Sequence, residues 1–129
     1  MLADAAAVLA GGALGGMARF WLAERVGRLR GASPAAGILA VNVSGAIVAG
    51  LAAGLVTGTA PGSMAWQLAV VGFLGSYTTV SSFSLQTLAL LHDGRAGRAA
   101  AETAVSLLGT LGGVGFGWAL ARWVAGGPA

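Results

Sequence analysis

The sequence contains no cysteine, which excludes disulfide bonds and thiolate metal sites. It also contains no lysine, so its net charge of +3 comes from arginine alone. Charged residues make up only 9% of the chain, against roughly 25% in an ordinary soluble domain. No formally charged residue occurs between positions 31 and 91. Because about 20 apolar residues suffice to cross the hydrocarbon core, this composition predicts an all-α integral membrane protein.

The sequence also lacks the residue clusters that catalysis requires. The acidic residues stand at the ends of the apolar stretches, and the single histidine, His92, follows one of them; the acids are Asp4, Glu24, Asp93 and Glu102. Paired carboxylates, a nucleophile with its base, and a metal cluster are therefore not expected in the membrane, which argues against an enzyme. Proton-coupled transport normally places an ionisable residue at membrane depth, so the pattern favours passive conduction.

The apolar stretches predict a single domain, 1–129, with four transmembrane spans at about 4–23, 34–57, 64–91 and 99–124. We expect a multi-pass protein of the cell membrane. The first apolar stretch has no basic region before it, so we interpret it as a membrane helix rather than a cleaved signal. Glycines recur at four-residue spacing, which allows helices to approach closely; examples are Gly11 and Gly15, Gly50, Gly54 and Gly58, and Gly109, Gly113 and Gly117. Four short spans do not easily enclose a pore alone, so we expect an oligomer.

Residues 72–86, GFLGSYTTVSSFSLQ, place an unusual run of hydroxyl groups inside the longest uncharged part of the chain. Such side chains compete with the backbone for hydrogen bonds and can interrupt a helix. Polar backbone at membrane depth is tolerated only where protein buries it or a watery cavity adjoins it. The run therefore predicts a third span broken mid-membrane, beside an ion path. The structural alternative is that the hydroxyls only join helices, as isolated Ser and Thr often do.

Two further polar residues, Asn42 and Arg19, permit two interpretations each. Asn42 in the second span either forms an interhelical hydrogen bond or donates to a dehydrated anion. Arg19 near the end of the first span either extends to the membrane surface or forms an electropositive vestibule for anions. Ser106 and Thr110, with Thr103, share one face of the fourth span. Donors without a fixed negative charge suit an anion better than a cation.

These motifs resemble the Fluc (CrcB) fluoride channels along essentially the whole chain: GGALGGMARF in the first span, GILAVNVSG in the second and GFLGSYTTVSSFSLQ in the third. The resemblance implies an antiparallel dimer with two pores that exports cytoplasmic fluoride and gives fluoride resistance. It also implies a structural sodium ion at the dimer interface, bound by the backbone carbonyls of Gly75 and Thr78. Asn42 and Phe83 match pore residues of the family, and Arg19 matches its arginine at the end of the first helix. The remaining expected pore residues are Val80, Ser81, Ser82, Ser84, Ser106 and Thr110.

Three positions differ from the family pattern. Val80 stands in place of a phenylalanine, Ile38 in place of a common threonine, and Gln86 in place of a common glutamate. Such losses permit an alternative, in which the chain completes the pore of a heterodimer and conducts less by itself. A non-conducting structural subunit is a further alternative. A small four-helix drug or guanidinium exporter is less favoured, since it would need a membrane-embedded acid.

The arginines are distributed unevenly between the two sides of the membrane. With four crossings, the first and third connections share one side and hold Arg25, Arg28, Arg30, Arg95 and Arg98, whereas the other side has Arg122. The positive-inside rule then predicts cytoplasmic connections and external termini. Arginines in such short connections report topology, so nucleic acid is not an expected partner. An antiparallel dimer of a chain with one orientation requires an oppositely oriented homologue, so the bias favours a heterodimer over a homodimer.

Overall fold

The computed structural model describes residues 1–29, 31, 34–55 and 62–126, and every regular element in these ranges is helical. Helix α1 is Leu2–Gly27 and α2 is Pro34–Leu55. The third span, Met64–His92, contains two helices, α3 at 64–77 and α4 at Ser81–His92. Helix α5 is Ala96–Val124. Four spans are thus long and apolar enough to cross a membrane, which makes the chain a multi-pass membrane protein.

The helices extend further than the apolar stretches alone indicated. Helix α1 continues four residues beyond 23, through the charged residues Glu24 and Arg25, and α5 begins three residues before 99. Charged side chains tolerate helical backbone outside the hydrocarbon core, so hydropathy marks the membrane segment rather than the helix end. The expected end of the second span at 57 lies outside the described residues, as do Arg30, Ser33, Gly58 and Pro61.

Glycines make close helix contacts between α1 and α3, between α2 and α5, and between α1 and α2. A Cβ atom at Gly11 would meet the carbonyl oxygen of Leu68, and one at Gly50 would meet that of Val114. From the opposite side, a Cβ at Gly117 would meet the carbonyl oxygen of Ile47. The predicted close-packing role of these glycines is therefore confirmed: without a side chain, one helix backbone lies directly against the next.

The third span departs from α-helical geometry twice. From Gln67 to Leu74 it is a π-helix, which the sequence did not predict. It then stops at Tyr77, Thr78 is extended with ψ of 151°, and helix α4 begins only at Ser81. We call Thr78, Thr79 and Val80 the break. The break lies within the hydroxyl-rich run. The π-helix comes shortly before it, and π-turns frequently accompany functional sites.

The first and third connections lie at the same end of the bundle. Ala35, at the start of α2, borders one recess together with Asp93, Arg95 and Arg98, which surround the start of α5. The turn before α5 uses Gly94 with φ of +71°, a conformation that suits glycine. We call this the arginine-bearing end.

Candidate functional site: a recess at the helix break

The break is held to the second span by an amide pair. The side-chain amide of Asn42 donates from Nδ2 to the carbonyl oxygen of Thr79 at 2.9 Å. In return, the backbone N–H of Thr79 donates to Asn42 Oδ1, also at 2.9 Å. Because the backbone N–H can only donate and the carbonyl can only accept, this pairing fixes which way the Asn42 amide faces. The interhelical hydrogen bond, one of the two interpretations of Asn42, is therefore present.

This amide pair removes a hydrogen bond from the third span. In a continuous helix the N–H of Thr79 would donate to the carbonyl of Gly75, four residues earlier. It donates to Asn42 instead, so the Gly75 carbonyl is left without that donor. Gly75 itself is exposed in the single chain, which leaves its backbone open to a partner or an ion.

A second carbonyl loses its donor in the same way. The N–H of Ser82 would donate to the carbonyl of Thr78 in a continuous helix, but it donates to Thr79 Oγ1 at 3.3 Å. Thr79 thus caps the start of α4, with its hydroxyl also 3.1 Å from Ser81 Oγ. The Thr79 side chain is 6% exposed, so the cap is formed inside the protein. The carbonyls of Gly75 and Thr78 are thus among those that lose their helical donors at the break.

Helix α2 fits the break at two further positions. A Cβ at Gly45 would lie 2.5 Å from Thr78 Cγ2, so glycine makes room for the break one turn after Asn42. Ser44 Oγ donates to the carbonyl of Val41 at 3.0 Å and lies 2.8 Å from Tyr77 OH. Since serine has one hydroxyl hydrogen, Tyr77 is the donor to Ser44. The sequence VNVSG therefore has a structural role at each of its polar and glycine positions.

Most of the predicted pore residues border one recess of about 680 Å³ beside the break. We call it the break recess; the predicted residues along it are Asn42, Gly75, Thr78, Val80, Phe83, Ser106 and Thr110. Residues from α2, the third span and α5 meet here, although up to 68 positions separate them in sequence. No charged side chain borders the break recess within the described part of the chain.

Two more recesses continue from the break recess toward the arginine-bearing end. The inner cavity, about 210 Å³, shares Phe83 and Ser106 with the break recess and is also bordered by Ile38, Gln86 and Glu102. The mouth, about 220 Å³, shares Ala35, Gln86 and Glu102 with the inner cavity and adds Asp93, Arg95 and Arg98. The three recesses are thus neighbours, since each shares bordering residues with the next between the bundle end and the break.

The three positions that differ from the family pattern all border this series. Val80 borders the break recess and is 76% exposed in the single chain, whereas Ile38 borders the inner cavity. Gln86 borders both the inner cavity and the mouth. Substitution at these positions therefore changes the surface of the recesses.

Four predicted site residues are not among those that border the break recess. Ser81 and Ser82 instead surround the capping hydroxyl of Thr79, and Ser84 is exposed. Its N–H donates to the carbonyl of Val80 at 2.8 Å, which starts the regular pattern of α4. Arg19 lies on α1, partly exposed, away from the break recess.

The hydroxyl of Thr110 is engaged within its own helix. Thr110 Oγ1 donates to the carbonyl of Ser106 at 2.8 Å and approaches that of Leu107 at 3.1 Å. Thr103 and Thr87 make the same local bond, to Ala99 at 2.8 Å and to Phe83 at 3.0 Å. A hydroxyl that gives its hydrogen to a helix carbonyl offers its oxygen, not its hydrogen, to the recess. Sequence spacing placed these residues on one face but did not indicate where their hydrogens point.

Comparisons with known proteins indicate the family of the chain. Residues 6–118 match the family described as CrcB-like protein, Camphor Resistance (CrcB). A fluoride-specific ion channel FluC 2 of Rhodopseudomonas palustris (strain BisB18) is 47% identical over 92% of both chains. Its namesake in Bradyrhizobium diazoefficiens is 40% identical over 98% of this chain and 94% of the relative. The fluoride-specific ion channel FluC of Rhodospirillum rubrum is 45% identical over 85% of this chain and 88% of the relative. A family match over nearly the full length, together with this identity to its members, shows that the chain belongs to the CrcB family.

Proposed function

We propose that this chain is a subunit of a fluoride-specific ion channel that lets cytoplasmic fluoride leave the cell passively. The observation that supports this most directly is the break recess: an uncharged, donor-bearing space beside an interrupted membrane helix. The relatives named above are fluoride-specific ion channels, and they match this chain over nearly its whole length. Passive export of this kind protects a cell that fluoride enters as its neutral acid.

The groups around the recess suit a small anion that holds its hydration shell tightly. Asn42 uses one amide hydrogen on Thr79, and a primary amide has a second one to offer. The ring of Phe83 presents an electropositive edge, which attracts an anion without a formal charge. Together with the hydroxyl of Ser106, these donors replace part of the water that fluoride loses.

A sodium ion would fit the carbonyls of Gly75 and Thr78, two of those that the break releases. Gly75 and Thr78 both lack the backbone donor that a continuous helix would provide, since Asn42 and Thr79 take the hydrogens concerned. Carbonyl oxygens are the ligands that hard cations accept. A second subunit that brings the same pair would complete four oxygens around one ion. The ion would supply the positive charge that holds two broken helices together.

The exposed break supports a dimer, which the resemblance to the family implies is antiparallel. Gly75 and Val80 are exposed in the single chain, at the middle of a span that crosses the membrane. A carbonyl left without a donor in hydrocarbon costs several kcal/mol. A partner subunit across the break would remove this cost. It would also enclose the break recess, which one chain leaves open.

The arginine-bearing end favours a homologue as that partner. Arg25, Arg28, Arg95 and Arg98 lie at one end of the bundle, so the chain has a preferred orientation. Two of the relatives carry the number 2 in their names, which fits cells that make more than one such subunit. The second candidate, a homodimer, requires that the chain inserts both ways. In a heterodimer this subunit would conduct less by itself, because Ile38 and Val80 provide no donor or aromatic ring.

Arg19 would serve as the anion vestibule of the assembled channel. It lies near the end of the first span, and no salt bridge joins it to an acidic residue in the described part of the chain. An unpaired guanidinium at the membrane surface raises the local concentration of anions. The hydroxyl-bearing residues Ser81, Ser82 and Ser84 would border the pore only when the partner closes it.

Fluoride efflux from liposomes tests the proposal. Purified protein, alone and with a co-expressed homologue, is reconstituted with fluoride or chloride inside and an electrical driving force, and efflux is followed with ion-selective electrodes. We expect fluoride efflux without chloride efflux and without a pH gradient. Equal chloride efflux, or flux that depends on a pH gradient, would overturn the assignment. Sodium is tested in the same protein by the unfolding temperature in sodium and in a bulky organic cation, with Thr78→Pro as a variant that alters the carbonyl geometry.

A further inference from the structure

We propose that Arg98 and Glu102 form a charge-compensated neck between the mouth and the inner cavity, and that Arg98 is a positioning residue that keeps the neck passable for anions. This inference rests on the proposed function, because it concerns the path by which an anion reaches the break recess. It adds two residues of α5 that no motif of the resemblance includes.

Glu102 is the only acidic residue that borders two of the described recesses in series. It borders the inner cavity with Phe83 and Ser106, and the mouth with Arg95 and Arg98. Its side chain is 24% exposed, so it stands partly within the protein rather than in bulk solvent. An anion that travels from the mouth to Phe83 therefore passes a carboxylate.

Such a carboxylate would repel the anion unless another charge offsets it. Arg98 Nε donates to Glu102 Oε1 at 3.0 Å, one helical turn earlier on α5. The pair has no net charge, so it cancels most of the field that Glu102 would exert on the neck. The i,i+4 spacing on one helix fixes this geometry, because side chains four residues apart face each other.

The other polar groups around the neck do not replace Arg98. Asp93 and Arg95, one acidic and one basic, border the mouth from the turn before α5, and neither forms an ion pair with Arg98 or Glu102 among the described residues. Gln86 of α4, which is uncharged, borders the mouth and the inner cavity, and the described residues of α2 that border them are apolar, such as Ala35 and Ile38. Arg98 is thus the cation that contacts the carboxylate directly.

The neck also explains why a carboxylate is tolerated beside an anion path. With Arg98 in place, the mouth presents a guanidinium and a carboxylate side by side where it adjoins the inner cavity. A small anion can contact the guanidinium of Arg98 as it passes, whereas repulsion from the carboxylate of Glu102 prevents it from binding tightly. Removal of the arginine would leave the repulsive group alone.

A double-mutant cycle in liposome efflux tests this inference. Arg98→Gln should reduce fluoride efflux about tenfold, since the carboxylate then stands uncompensated at close range. Glu102→Gln should leave efflux equal or higher. The double variant, Arg98→Gln with Glu102→Gln, should return efflux to within about threefold of the wild type, because the neck is again neutral. A merely structural role of the ion pair would lower the unfolding temperature of Arg98→Gln together with its efflux, whereas a role in conduction would lower efflux and leave the unfolding temperature near that of the wild type.

Arg28→Gln is the matched control. Arg28 forms the corresponding i,i+4 pair with Glu24 on α1, at the same end of the bundle, but borders a different recess. The Arg28→Gln variant loses the same charge from the same end of the bundle. Because Arg28 borders a different recess, fluoride efflux should be nearly unchanged. All variants are first compared on a sizing column, because the double variant can restore fluoride efflux only if it assembles.

The outcomes separate this inference from the proposed function. No fluoride efflux from the wild-type assembly would overturn the channel proposal and the neck with it. Wild-type efflux with an unchanged Arg98→Gln variant would overturn the neck alone. Loss of efflux that the second substitution does not reverse, or an equal loss in Arg28→Gln, would also overturn it.

Discussion

The side-chain amide of Asn42 forms two hydrogen bonds of 2.9 Å with the backbone N–H and carbonyl of Thr79, in the way that the backbone of a neighbouring β-strand would. Thr79 lies at the point where the third span stops being helical, so its backbone groups need partners from outside that helix. Asn is the shortest side chain that provides both a donor and an acceptor in this geometry. The pair explains how a broken helix is stable at membrane depth.

Asn42→Asp should weaken the break and stop conduction. The carboxylate still accepts from the Thr79 N–H, but it cannot donate to the Thr79 carbonyl, which is then left unsatisfied. We expect a loss of about 1–3 kcal/mol in the free energy of unfolding. The new negative charge also borders the break recess, so fluoride efflux should fall by orders of magnitude while the assembly persists on a sizing column. Wild-type efflux in this variant would exclude Asn42 from the path.

Thr79→Val should lower stability through the cap of α4. Valine keeps the shape of threonine but removes the oxygen that accepts from the Ser82 N–H. The loss of such a cap costs about 1 kcal/mol. Thr79→Ser keeps the oxygen and is the control, and it should unfold close to the wild-type temperature. Equal thermal stability of the valine and serine variants would show that the cap contributes nothing.

Phe83→Ile should reduce fluoride efflux without a large change in assembly. Phe83 borders both the break recess and the inner cavity, and isoleucine removes its ring edge from each. Phe116→Ile provides a matched control, because that ring is 60% exposed on α5 and does not border the break recess. We expect at least a tenfold difference in efflux between the two variants, about the effect of losing one favourable contact of 1.4 kcal/mol. Similar efflux from both would place the path elsewhere.

Much of the fold follows from patterns that the sequence displays openly. Four apolar stretches predict four spans, and glycines at four-residue spacing predict which faces approach closely, as Gly11 and Gly50 show. These predictions succeed because hydropathy and side-chain size act locally. Helix ends are less predictable, since α1 continues past the membrane segment through Glu24 and Arg25.

The arrangement of hydrogen bonds could not be predicted from the sequence. The density of hydroxyls in residues 72–86 indicates where the third span is interrupted, but it does not indicate which hydroxyl caps the next helix. Thr79 takes that role because Asn42, 37 positions earlier, holds its backbone in place. Thr110, by contrast, donates its hydroxyl hydrogen within its own helix, to the carbonyl of Ser106. The role of Thr79 depends on a contact between distant segments, which spacing alone does not contain.

Gly117→Ala should destabilise the contact between α2 and α5. A Cβ there would meet the carbonyl oxygen of Ile47, so one backbone would have to move. Overpacking of this kind costs about 1–3 kcal/mol. Gly115→Ala is the control on the same helix, because nothing lies within 4 Å of its Cβ position and alanine favours the helix. Thermal unfolding in detergent should therefore separate the two variants by several degrees, and coincident unfolding curves would contradict the proposed contact.

The orientation of the chain in the membrane is the prediction with the widest consequence for assembly. Arginines at one end of the bundle predict that the first and third connections face the cytoplasm and the second faces outward. Because the chain has no cysteine, Gly62→Cys and His92→Cys each provide a single, exposed labelling site, one for each side. An impermeant maleimide should label Gly62→Cys in intact cells, and His92→Cys only after the membrane is opened.

Comparable labelling of both sites in intact cells would mean that the chain inserts both ways, and a homodimer would then need no second gene product. One-sided labelling would mean that two copies cannot meet antiparallel, so the partner across Gly75 and Val80 must be a homologue with the opposite arginine bias. The same experiment with Arg95→Gln and Arg98→Gln tests the cause. If these arginines set the orientation, their removal should increase the fraction of Gly62→Cys that is protected, whereas Arg122→Gln should not.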